Sequence, residues 1–232
     1  MSIAFVTGAS RGLGREVARG LVAAGHQVIG IGKDPHRAQE TSAELGIEFE
    51  IADLQSISEA RDLATRLLSK HGVPEIVVLA HGVMSEKMAK TLRTNDDEWS
   101  RVMNINLNSV FTLVNALGAP MAEARNGRII IFSACLGRMS GPGNAGGLAP
   151  YRISKAGVNA LVRNLAHETG HGSRGFLVDA ICPNHSRTDM GGPDAPRSAE
   201  EGAATALWLA TRQFNPGDKT GILWEDYEEV PW

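Results

Sequence analysis

Short apolar runs alternate with longer stretches in which apolar residues recur every three or four positions, and the alternation continues along the chain. Ile3 to Val6, Val28 to Ile31, Phe49 to Ala52, Ile76 to Leu79, Ile129 to Phe132, Phe176 to Ile181 and Thr220 to Trp224 read as strands. Between them, Val17, Leu21 and Val22 fall at helical spacing, as do Ala60, Leu63, Ala64, Leu67 and Leu68. A long helix is predicted from Trp99 to Ala122, and another carries Ala156, Val158, Leu161, Val162 and Leu165. Asp34 before Pro35 reads as a helix start, and Ser56 with Glu59 and Ser198 with Glu201 read as capping boxes. Strands alternating with helices throughout predict an α/β fold: one Rossmann-type domain over residues 1–232, a doubly wound parallel sheet of about seven strands flanked by helices.

Composition narrows the partners. The 232 residues are 43% hydrophobic and 21% charged, with a formal net charge of −3, which gives no reason to expect nucleic acid or an anionic membrane surface. No apolar run reaches the roughly 18 residues of a membrane span, and the N-terminus does not read as a signal sequence. The two cysteines, Cys135 and Cys182, have no metal-ligand spacing and suit a reducing compartment, so the expectation is a cytoplasmic protein without a metal.

Candidate chemistry begins at the first strand's end. Thr7 to Gly14 is a glycine-rich turn between strand and helix, the arrangement that presents helix N-terminal amides to a phosphate. Its spacing is Gly-x-x-x-Gly-x-Gly rather than the commoner Gly-x-Gly-x-x-Gly. The second strand ends in Gly32-Lys33-Asp34 instead of an immediate acidic residue. Lys33, with Arg11 from the first loop, suits a ribose 2′-phosphate, which favours NADP(H) over NAD(H).

Further on, Tyr151 and Lys155 lie four apart, one turn from each other on a helical face. An ammonium beside a phenol is expected to lower the phenol's pKa towards a usable acid or base. His81 follows the fourth strand, at the carboxyl end where α/β proteins bind ligands. Asn104, Asn106 and Asn108 interrupt the long helix, so at least one is expected to have a task other than helix formation. The glycine-rich segment 134–149, which includes Pro142, is too long for a plain connection and is expected to border a binding site.

Thr7 to Gly14, Asn106, Tyr151 and Lys155 together resemble the short-chain dehydrogenase/reductase family, and Arg128-Ile129-Ile130, Arg187 to Met190 and Pro231-Trp232 look most like its bacterial carbonyl-reductase-like members. The resemblance covers essentially the whole chain. It implies that Tyr151 gives a proton to a carbonyl, that Lys155 holds the nicotinamide ribose and depresses the tyrosine pKa, and that Asn106 anchors a water leading to Lys155. It also implies that Asp53 binds adenine and Thr188 the carboxamide. The implied cofactor contacts are Gly8, Ser10, Arg11, Gly12, Leu13, Gly14, Lys33, Asp53, Leu54, Ala80, Gly82, Tyr151, Lys155, Pro183 and Thr188.

Three departures from the family pattern fall around the nicotinamide end. Ala134 stands where a substrate-orienting Ser is usual, with Ser133 one residue earlier; Leu79-Ala80-His81-Gly82 replaces Asn-Asn-Ala-Gly; and Pro183-Asn184, followed by His185, replaces Pro-Gly. His81, His185, a group from 135–149 or, if the strand bulges, Ser133 is expected to replace the missing donor, so that Ala134→Ser changes little, and Ala134, Cys135, His81 and His185 are expected to line the substrate pocket. The leading expectation is an NADP(H)-dependent oxidoreductase acting on a small carbonyl or alcohol, as a homodimer or homotetramer. The alternatives are non-redox chemistry on the same fold (a cyclase, isomerase or lyase) and an NADP(H)-binding protein without catalysis.

Overall fold

The computed structural model describes residues 2–86, 89–141, 146–215 and 217–232. Pro142, in the middle of the long glycine-rich segment, lies outside the described residues. Among the described residues the strands are β1 (Ile3–Thr7), β2 (Gln27–Gly32), β3 (Glu48–Ile51), β4 (Ile76–Leu79), β5 (Gly127–Phe132), β6 (Phe176–Ile181), β7 (Leu223–Glu225) and β8 (Glu228–Val230). They form one 8-stranded sheet in the order β3-β2-β1-β4-β5-β6-β7-β8. All pairings are parallel except β7 with β8. The helices are α1 (Gly12–Ala23), α2 (Pro35–Leu45), α3 (Ile57–His71), α4 (Asp96–Met103), α5 (Ser109–Glu123), α6 (Ala149–Thr169) and α7 (Ala199–Thr211).

The central strands β1 and β4 are almost wholly apolar because both faces are covered. Successive side chains alternate between faces, so Phe5, Ile29, Val77, Ile129 and Val178 join one core with α3, α5 and α6. Ala4, Val6, Val28, Val78 and Ile130 join a second core with α1 and α7. After β3 the chain returns to place β4 beside β1, on the side away from β2. Loops leaving β1 and β4 therefore diverge, and a crevice opens between them at the strands' carboxyl ends.

Two sequence expectations need correction. The long helix does not run unbroken from Trp99. It starts at Asp96, where the Asn95 side chain accepts the Glu98 N–H, and a π-helical turn at Asn104–Asn108 separates α4 from α5. The last parallel strand is Leu223–Glu225 rather than Thr220–Trp224, and the acidic tail turns back as β8. Asp226 and Tyr227, both at positive φ (52° and 68°), make the two-residue turn, of the hand that matches strand twist.

Ser198 and Glu201 form a reciprocal capping box as predicted. Ser56 accepts the Glu59 N–H, but the Glu59 carboxylate reaches past it to the Asp53 N–H, so that start is half a box.

Candidate active site

A cleft of about 800 Å³ occupies the crevice. Its lining includes Gly8, Ser10, Arg11, Gly12, Leu13 and Gly14 from the first turn, Lys33, Asp53 and Leu54 beyond β2 and β3, Ala80, His81 and Gly82 beyond β4, and Thr188 across the mouth. Among the described residues the lining does not include Tyr151, Lys155 or Pro183. The glycine spacing has a steric cause: a Cβ on Gly14 would lie 2.4 Å from the Gly8 carbonyl oxygen, and Gly8 itself holds φ +67° against the backbone of Ala80 and His81.

The first turn meets α1 at Arg11, whose side chain makes no capping hydrogen bond. The opening amides of α1 thus have no side-chain acceptor from their own cap and face the cleft at the helix's positive end. This cradle fits a dinucleotide pyrophosphate.

Charge collects at the far end of the cleft. Lys33 pairs with Asp53 (2.6 Å) and is 70% exposed, so its ammonium remains open to a ligand. Asp34, beside Lys33, caps α2 by accepting the His36 and Arg37 N–H groups, which turns its carboxylate to the helix start. Arg37 also lines the cleft, a third cation that the sequence reading missed. Arg11 and Arg37 (3.1 Å) both contact Asp189 from the segment that crosses the mouth. An Arg one turn into α2, three residues after an Asp-Pro start, was the available signal.

Behind Gly82 sit Lys155 of α6 and Asn106. A Cβ on Gly82 would lie 3.5 Å from the Lys155 Nζ and 3.4 Å from the Asn106 Oδ1, so glycine lets the cleft wall approach both. The buried Lys155 ammonium donates to the Phe132 carbonyl (2.6 Å), and burial brings its pKa down to about 8. Its Nζ is 5.9 Å from the centroid of the Tyr151 ring. Tyr151 is 6% exposed, and its phenol is pushed up, not down: burial is the main cause, and Cys182 and Cys135 act in the same direction. The expected lowering by Lys155 is therefore corrected for this arrangement, because desolvation disfavours the phenolate and the lysine charge alike.

The π-helical turn aims Asn106 inward, where it is fully buried. Its Oδ1 accepts the Val83 N–H (2.8 Å), and its amide donates to the Val83 carbonyl (2.9 Å) and the Ser154 hydroxyl (3.1 Å). One side chain thus ties the exit from β4 to the helix carrying Tyr151 and Lys155.

Ala134 follows β5 with extended backbone (φ −161°, ψ 151°) and is buried. Ser133 does not face the same way. Its hydroxyl is bonded to the Asn159 side chain and lies 3.3 Å from the Lys155 carbonyl, on the α6 side, so it is not placed as a replacement donor. His81 is likewise committed. Ser109 donates to the Ile105 carbonyl (2.8 Å), so the imidazole Nε2–H donates to Ser109 (2.9 Å) and Nδ1 accepts from Thr7 (2.6 Å). Burial, followed by the Lys155 charge, brings the His81 pKa down to about 3, which leaves a neutral, structural ring.

His185 is exposed and donates its Nε2–H to the Gly191 carbonyl (2.8 Å), within the segment that carries Thr188. Asn184 adopts φ +56°, the left-handed region that glycine favours and Asn tolerates, so this departure preserves a backbone shape. Cys135, half-buried, opens a single 3-10 turn beside Cys182.

Residues 2–198 match the family model described as short chain dehydrogenase. The chain is 36% identical over 193 residues to the Escherichia coli (strain K12) 3-oxoacyl-[acyl-carrier-protein] reductase FabG, covering 81% of this chain and 75% of that protein. Among solved structures, a ribose-5-phosphate isomerase from Brucella melitensis 16M superposes with TM-score 0.84 at 26% identity, over 96% of this chain and 89% of that one. A short chain dehydrogenase/reductase family protein superposes with TM-score 0.83 at 26% identity, over 96% and 94%. Glycine turn, parallel sheet and the Tyr151–Lys155 helix are thus accompanied by sequence identity over most of the chain, and the protein belongs to the short-chain dehydrogenase/reductase family of oxidoreductases.

Proposed function

We propose that the protein is an NADP(H)-dependent oxidoreductase acting on a small carbonyl or alcohol, with Tyr151 as the proton donor. The observation that supports this is Lys155, with Tyr151 beside it, behind Gly82 of a cleft that also gathers Lys33, Arg11 and Arg37. A nicotinamide held there would supply or accept the hydride. Gly8 to Gly14 hold the pyrophosphate on the α1 amides, Lys33, Arg11 and Arg37 hold the 2′-phosphate, and Thr188 closes over the turn. Tyr151 delivers the proton to the substrate oxygen, and Lys155 keeps positive charge beside that oxygen as it gains electrons.

The name of the FabG relatives, a reductase of a 3-oxoacyl group, supports a ketone as the substrate's reacting group. The isomerase name of the Brucella structure does not outweigh this, because one fold hosts many reactions. A second reading is favoured by one observation: Ala134 offers no hydroxyl, while Ser133 and His81 are engaged elsewhere. On that reading the cofactor is kept and the reaction is not a hydride transfer. Incubation with NADPH and a panel of ketones and aldehydes, followed by cofactor absorbance, separates the two. No consumption with any carbonyl, despite measurable NADPH binding, would sink the first reading.

Cofactor choice follows from the three cations. NADPH is expected to bind at least about tenfold more tightly than NADH, since a 2′-phosphate makes charge-assisted hydrogen bonds that a hydroxyl cannot. Lys33→Ala and Arg37→Ala should each narrow that gap. Equal dissociation constants for the two cofactors by calorimetry would refute it.

Assembly is the next expectation. Phe111 on α5 and Ile153 on α6 are 52% and 43% exposed, and Trp99 on α4 is 39% exposed, so the face of these helices carries uncovered apolar groups. A homodimer or homotetramer with a symmetric interface is expected, and Phe111→Glu should break it. Light scattering that gives a monomer for the unmodified protein at tens of micromolar would end this proposal.

A further inference from the structure

Outside the cleft, the residues most at odds with a purely structural role are the two thiols. Cys135 begins the turn Cys135–Gly137 and is partly exposed, whereas Cys182, immediately after β6, is 2% exposed. The parallel pairing of β5 with β6 carries them together: Phe132 is in register with Ile181, and the Ser133 N–H donates to the Ile181 carbonyl (2.8 Å). The chain then folds back so that the Cys135 N–H donates to the Cys182 sulfur (3.0 Å).

We propose that Cys135 and Cys182 form a thiol-oxidation site, at which a hydroperoxide is reduced by Cys135 and the product is resolved by Cys182 to a disulfide. The two thiols have unequal environments that match these roles. The adjoining Cys182 side chain brings the Cys135 thiol down to about 6, and Cys135 together with burial pushes the Cys182 thiol up. Arg138, at the end of the same turn, favours the Cys135 thiolate, and Glu225 opposes it. The accessible sulfur is thus the anionic nucleophile, and the enclosed one keeps its proton.

The chemistry balances without a cofactor. The Cys135 thiolate attacks the peroxide O–O bond, forming a sulfenic acid and releasing an alkoxide that is protonated to the alcohol. The Cys182 sulfur then attacks the Cys135 sulfur, and the sulfenic hydroxyl leaves as water with the Cys182 proton. Two electrons pass from the pair of thiols to the peroxide. The location matters for the neighbouring residues. A Cβ on Gly137 would fall 2.6 Å from the Lys155 carbonyl carbon, so the turn that moves when the sulfurs join is seated on the helix of Tyr151 and Lys155.

The test uses the full chain, hydrogen peroxide and intact-mass measurement, with a readout that does not depend on any turnover. The unmodified protein should lose two hydrogens per chain, give a peptide crosslinked between Cys135 and Cys182, and return to its starting mass with dithiothreitol. Cys182→Ser should stop at a sulfenic acid that dimedone traps on Cys135, and Cys135→Ser should keep its mass at the same exposure. Circular dichroism confirms that both variants are folded. No reaction of the unmodified protein, sulfinic or sulfonic acid without a disulfide, or a dimedone adduct on Cys182 would each overturn the proposal.

Discussion

Tyr151→Phe is expected to reduce carbonyl-dependent NADPH oxidation by about 10³-fold or more, the scale of a lost proton donor. The phenyl ring fits the same buried space, so NADPH affinity should stay within a few-fold of the original. A loss in kcat without a loss in binding is the signature to look for. Burial keeps the phenol protonated across the neutral range, which suits a proton donor and leaves the upper pH limit to Lys155. The lysine is charged below its pKa of about 8 and neutral above it, so reduction should decline as pH rises through that value. A Phe variant that still turns over near the original rate would remove Tyr151 from the mechanism.

Ala134→Ser is expected to raise the reduction rate by about 10²-fold, since a donor to developing oxyanion charge is worth roughly 3 kcal/mol. The sequence alone pointed the other way, on the assumption that Ser133, His81 or His185 already filled the gap. The geometry changes that expectation. Ser133 is bonded to Asn159 on the α6 side, and neighbouring residues of extended chain face opposite ways, so the side chain at 134 looks away from Asn159. A serine there enters extended backbone without backbone strain and adds a hydroxyl on the side away from Asn159. Steady-state rates of the two proteins on one ketone decide the matter. An unchanged rate would show that a donor is already present, and the contacts of the glycine-rich segment should then be tested next.

How much of this was legible in the sequence depended on whether the signal was local. The β1 turn and the start of α1 could be read because Gly8, Gly12 and Gly14 act within a few residues of one another. Ser198 and Glu201 could be read for the same reason, being reciprocal partners within one helical turn. The β7–β8 hairpin was missed because its turn is Asp226-Tyr227 rather than Asn-Gly, held from outside by Arg197 on Asp226. What His81 and Ser133 bond to could not be read because their partners, Thr7, Ser109 and Asn159, are distant in sequence. The direction of the Tyr151 shift was equally out of reach. Residue spacing shows a neighbouring cation, but only the packed structure shows how much water has been removed from around both groups.

The π-helical turn at Asn104–Asn108 has a consequence for how this gene can change length. A π turn closes its hydrogen bond over one residue more than an α turn, so the segment carries, in effect, a retained insertion. Deleting any one of the five residues would let the backbone relax into regular α-helix without an unsatisfied peptide group. Because the wide turn itself absorbs the extra residue, α4 and α5 would keep nearly the same phase, and the change would fall on the bulge. Val102, now fully buried, and Trp99, on the outer face, would keep their places, whereas Asn106, inside the bulge, would turn away from Val83. Substitutions in this stretch alter one contact at a time, whereas a single codon lost here removes the bulge that aims Asn106 inward.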